Sequence, residues 1–75
     1  MKYRLEGTTI EAIDTYVRIT LGSGLVQVTK WEMPSATDVA AMMQQMQGYA
    51  PNRAQLQACG RAADDARSNK IELDL

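Results

Sequence analysis

Cys59, the Asp64-Asp65 pair and the Gly22-Ser23-Gly24 stretch are the places where this sequence could do covalent or ligand chemistry. None of them makes a complete site. The chain has no histidine, so the commonest general base and nucleophile activator is missing. Cys59 falls on the inward stripe of an Ala-rich helical pattern. A buried thiol there is a small hydrophobe, whereas a reactive thiolate needs an exposed, electropositive setting. A lone cysteine also excludes an intrachain disulfide and a multi-cysteine zinc site. Asp64 and Asp65 would point about 100° apart on a helix, and a hard cation wants about six oxygen ligands. Arg61 is spaced to pair with either carboxylate. Glu72 and Asp74 fit the polar side of a strand. Gly22-Ser23-Gly24 lacks the Lys-Ser/Thr of a phosphate-binding loop and opens no helix, so it reads as a turn. The expectation is a non-enzyme with no catalytic, metal or cofactor site.

Residues suited to recognition are better represented. Tyr16, Arg18, Gln27, Thr29 and Trp31 fall on one face of the expected hairpin, with Lys2 and Arg4 nearby. Two aromatics beside an arginine are the ingredients of a protein-binding hot spot. They are also those of a stacking platform for single-stranded nucleic acid. A net charge of −1 without a basic cluster argues against nucleic acid. Trp31, the sole tryptophan in a chain without phenylalanine, has a competing role as core. The second surface runs from Val39 to Asn52, where no residue is charged at neutral pH. Gln44, Gln45 and Gln47 lie off its apolar stripe. Such a face lies against another protein without stranding a charge, although glutamine and alanine are also simply good helix formers.

The elements that would position these faces follow from periodicity. MKYRLE alternates, with Met1, Tyr3 and Leu5 on one side, and predicts a short half-buried strand. Residues 8–16 combine capping-box spacing with many β-branched side chains. The strand reading is preferred, with a bulge near Ala12–Asp14 to absorb a change of parity. The next stretch predicts a hairpin around Gly22-Ser23-Gly24. A two-residue turn with Gly-Ser at its centre sets Ile19 opposite Val26 and Val17 opposite Val28. A one-residue slip would set Ile19 against Gln27 and is disfavoured. Ser35 followed by Asp38 predicts a helix start. Val39, Met42, Met43, Met46, Tyr49 and Ala50 then form an apolar stripe of roughly 120°, closed by Gly48 and Pro51. A second helix starts near Pro51 or Asn52. Leu56, Cys59, Ala63 and Ala66 point inward, and Asn69 is placed just past its end. The alternation in KIELDL predicts a final strand.

The expected fold is therefore α+β: a small antiparallel sheet of three or four strands, ordered β-β-β-α-α-β along the chain, with two helices on one face. Seventy-five residues, 45% hydrophobic and 23% charged, fit one compact domain over 1–75. A chain this short buries only about 60% of its unfolded surface, which favours a partner that shares apolar surface. The polar start of the sequence is unlike a signal peptide. No apolar run approaches the roughly 20 residues of a membrane span. A cytoplasmic setting is expected.

The functional expectation is a small protein–protein interaction module. It would be an inhibitor or accessory factor that occupies a larger protein or complex through Tyr16, Arg18, Thr29, Trp31, Gln44, Gln45 and Gln47. Bacteriophages and mobile elements encode many small chains of this kind, including blockers of host-defence complexes. The rival readings are a structural protomer whose neutral helix face makes a homodimer or ring, and a single-stranded nucleic-acid binder on the sheet face. No membrane and no small-molecule substrate is expected as a partner.

Overall fold

The computed structural model describes residues 2–29 and 34–73. Strands β1 (Lys2–Leu5), β2 (Thr8–Ile13), β3 (Tyr16–Leu21) and β4 (Val26–Thr29) form one antiparallel sheet in the order β1-β2-β3-β4. Helices α1 (Ala36–Gln47) and α2 (Arg53–Leu73) follow. Both pack on the same face of the sheet, so the class is α+β, as the periodicity predicts.

Tight turns build the meander. Glu6-Gly7 joins β1 to β2, with Gly7 at φ +74°. Asp14-Thr15 joins β2 to β3, with Asp14 at φ +58°. Aspartate tolerates this left-handed region better than most residues. This turn, and not a bulge, absorbs the parity change expected near Ala12–Asp14. Thr8, Ile10 and Ala12 face the helices from β2, and after the turn Val17 and Ile19 do so from β3.

The β3–β4 hairpin corrects the expected register. Val17 pairs with Thr29, Arg18 with Val28, Ile19 with Gln27 and Thr20 with Val26. The cause is the loop. Gly24 N–H donates to Leu21 O, Leu21 N–H donates to Leu25 O, each at 2.9 Å, and Gly24 has φ +90°. This is a three-residue loop closed by a left-handed glycine bulge, not a two-residue turn. One extra loop residue moves every β4 side chain to the opposite face. Gly22 relieves crowding instead. A Cβ there would lie 3.1 Å from Gly7 O, because the two loops touch.

Helix α1 starts as its sequence predicts. Ser35 Oγ accepts from Asp38 N–H at 3.1 Å, and Asp38 Oδ2 accepts from Ser35 N–H at 3.2 Å, a reciprocal capping box. Gly48 ends it at φ +86°. Helix α2 opens with a second box, in which Asn52 Oδ1 accepts from Gln55 N–H and Gln55 Oε1 from Asn52 N–H, both at 2.9 Å. The expected final strand does not form, because α2 continues through Leu73. Once started, a helix gains one backbone bond per added residue. No glycine or proline follows Gly60 to stop it, and Asn69 lies inside the helix instead of beyond its end.

The core joins Ile10, Val17 and Ile19 of the sheet to Val39 and Met43 of α1 and to Ala58, Cys59, Ala62, Ala63 and Ala66 of α2. The small α2 side chains let that helix lie close. Met42 and Met46 are half-buried against the core. Tyr49 and Leu56, expected inside, are 63% and 48% exposed, and Ala50 is also exposed. Tyr49 and Ala50 follow the Gly48 cap, so the α1 wheel no longer positions them. Gln55, not Leu56, turns inward at the start of α2 and is 5% exposed.

Candidate functional site

With both helices on one side, no described element covers the other face of the sheet. Alternation places Lys2 and Arg4 of β1, Glu11 and Ile13 of β2, Tyr16 and Arg18 of β3, and Val26 and Val28 of β4 on it. Tyr16 and Arg18 therefore share the outer face, as expected. Gln27 is exchanged for Val28 as the residue opposite Arg18. Thr29 stands opposite Val17 instead of Tyr16. Trp31 lies outside the described residues.

Glu11, the one carboxylate among these residues, is shared by two of the three cations, Arg18 and Lys2. Arg18 donates from Nη2 to Glu11 Oε1 at 2.6 Å and from Nε at 3.0 Å. Lys2 Nζ stands 3.8 Å from Glu11 Oε2. The bond from Arg18 outweighs partial burial and holds the Glu11 carboxyl below the usual range. The guanidinium plane is fixed and its charge largely spent. Beside it, Val28 and Val26 are 42% and 54% exposed, and Leu25 at the loop is 55% exposed. The middle of the outer face is thus a fixed Arg–Glu pair and Tyr16, and the β4 side is apolar. A two-residue turn would point Val26 and Val28 toward the helices, so strand parity alone does not bring them to this face. The signal was Gly24, whose glycine permits the bulge that flips them outward.

The glutamines of α1 divide. Gln44 and Gln45 are exposed. Gln47 is half-buried, and its Nε2 donates to Tyr49 O at 3.0 Å and to Gln55 Oε1 at 3.3 Å. Gln55 Nε2 returns a bond to Gln47 Oε1 at 3.1 Å. Gln47 therefore ties the two helices together at their connection. Gln44 and Gln45 stay available on the exposed side of α1.

The groups considered for chemistry are occupied elsewhere. Cys59 is fully buried, and its Sγ lies 4.0 Å from Met43 Sδ. Burial pushes its thiol up to about 11. Asp65 accepts from the Tyr3 hydroxyl at 3.1 Å, and Asp64 pairs with Arg67, not with Arg61. Burial, then the bond to Asp65, pushes the Tyr3 phenol above its ordinary value. Among the described residues no group of three or more His, Cys, Asp or Glu side chains could hold a metal ion. A groove of about 630 Å³ runs between the β1–β2 turn, the β3–β4 loop and the helix connection. Of its three amides, Gln47 and Gln55 bond to each other and Asn52 accepts from Gln55 N–H, and Glu6 is its one carboxylate. No helix among the described residues is long and apolar enough to cross a membrane.

Comparison with known proteins gives no relative: no family model, no curated sequence and no solved structure matches this chain.

Proposed function

We propose that this chain is a protein-binding module that acts by occupying a surface of a larger protein through the uncovered sheet face. The observation that carries this reading is the exposed Val26–Val28 strip beside Tyr16 and the self-neutralised Arg18. A two-layer α+β domain normally turns a polar sheet face to water. Burying what remains exposed of each valine would contribute on the order of 1 kcal/mol. Tyr16 adds a stiff amphipathic anchor. Arg18 needs no acidic partner, since Glu11 already supplies one. The matching surface is therefore apolar where it meets the β4 side. A module without catalytic machinery works by occupancy, as an inhibitor or accessory factor. The buried, unpaired thiol fits a reducing, cytoplasmic setting.

The test is comparative capture from lysate of the native source, read by mass spectrometry. The bait is the wild-type chain, Val28→Lys, or Gln57→Ala on the exposed side of α2. One protein retained by wild type and Gln57→Ala but lost with Val28→Lys supports the reading, provided circular dichroism matches across baits. Identical capture by all three would defeat it.

A further inference from the structure

The geometry points to a second copy of this chain as the occupant of the free edge of β4. The pairing would be antiparallel and centred on Gln27, and it would join two four-stranded sheets into one. This inference concerns the strand edge and does not rest on the outer-face reading above.

Hydrogen-bond direction is the first support. Leu21 N–H donates to Leu25 O, and the register continues through Ile19–Gln27 and Val17–Thr29. Residues 25, 27 and 29 therefore direct their backbone polar groups toward β3, and Val26 and Val28 direct theirs outward. No described element pairs with β4 on its far side. Natural edges are usually blunted by charge, proline or a bulge. Val26–Thr29 carries none of these.

Self-complementarity is the second support. Val26-Gln27-Val28 reads the same in both directions. A two-fold axis through Gln27 sets Val26 opposite Val28 of the other copy, and Leu25 opposite Thr29. The outward N–H and C=O groups of both valines then gain partners. The valines of the two copies meet on the outer face. The two Gln27 residues meet at the axis as a close, non-hydrogen-bonded pair.

Charge is the third. A symmetric dimer brings identical charges together, so its axis must be neutral or self-paired. Beside β4, Met42, Gln45 and Met46 of α1 line a common groove with Leu25, Val26 and Gln27. None of these is ionisable. The charge-free side of α1 and the charge-free strand edge are one continuous rim. Pairing a strand this short would not alone reach the roughly 1,000 Å² of a specific interface. The flanking α1 helices of the two copies supply the remainder through Met42 and Gln45.

Gln27 is exposed, so changing its charge should leave the fold intact. Light scattering on the wild-type chain at micromolar concentration is expected to give twice the 8.3 kDa chain mass. Gln27→Lys alone and Gln27→Glu alone should each give the single-chain mass, and an equal mixture of the two should recover the doubled mass. Val28→Pro is a second probe, because it removes only an outward N–H. It should also give the single-chain mass with unchanged circular dichroism. A wild-type chain at single mass, or charge variants that remain dimeric alone, would overturn the proposal.

Discussion

Arg18 grips Glu11 across β2 and β3 with two donors on one oxygen, Nη2 at 2.6 Å and Nε at 3.0 Å. The Glu11 side chain is 13% exposed and that of Arg18 41%, so the pair is partly screened from water. Its stabilisation has a definite sign with pH. The folded carboxyl titrates below its ordinary value. The contribution is therefore complete above the ordinary carboxylate range and is lost as pH falls through the folded value. Glu11→Gln should reduce unfolding free energy at neutral pH by on the order of 1 kcal/mol. It should also flatten the acid limb of a plot of stability against pH. Urea melts between pH 2 and 7 check both. An unchanged acid limb would mean the pair contributes nothing.

At the alkaline end, Cys59 sets the behaviour. Its thiol is raised to about 11, so the neutral form is favoured in the folded state. That contribution is complete below the ordinary thiol value and is lost as pH rises toward 11. The Tyr3 phenol, also raised, acts in the same direction. Alkylation of native protein with iodoacetamide at mild alkaline pH should run at least about a hundredfold slower than in denaturant, since thiolate fraction and access both fall. Equal rates in the two conditions would place the thiol at the surface.

The Gln47–Gln55 amide pair couples the end of α1 to the start of α2. Gln55 also caps Asn52 N–H at 2.9 Å, so its loss removes the partners of both Asn52 N–H and the Gln47 amide. Gln55→Ala should cost about 1–2 kcal/mol, and Gln47→Ala about half as much. The double variant should cost less than their sum, because each single change already breaks the shared bonds. A denaturant double-mutant cycle reads the coupling. Strict additivity would show that the two side chains do not act together.

Local signals in the sequence carried much of this fold. Ser35 and Asp38 marked the start of α1, and Gly48 its end. Cys59, Ala63 and Ala66 marked the buried side of α2. The departures came where a short pattern had two physical readings. Gly22-Ser23-Gly24 supports either a two-residue turn or a three-residue loop with a bulge, and the choice decides which β4 residues face outward. Residues 70–75 alternate over too short a span to oppose propagation of a helix with no stop signal. Gln55 displaced Leu56 from the interior because a side chain that caps Asn52 and bonds Gln47 fits that corner better than an aliphatic one. For the candidate surface, Tyr16 and Arg18 were legible from strand parity. Val26 and Val28 were hidden by the assumed turn, and the engagement of Arg18 by Glu11 depends on cross-strand neighbours that parity alone does not supply.

The central claim is that the uncovered sheet face meets a partner protein. A photoreactive phenylalanine in place of Tyr16, irradiated in lysate of the native source, reads it most directly. The same group in place of Gln57 on α2 is the reference. A discrete crosslinked band from position 16 and none from position 57 is the expected result. A band from position 57 alone, or no band from position 16 while the wild-type chain still captures a partner, would contradict the account.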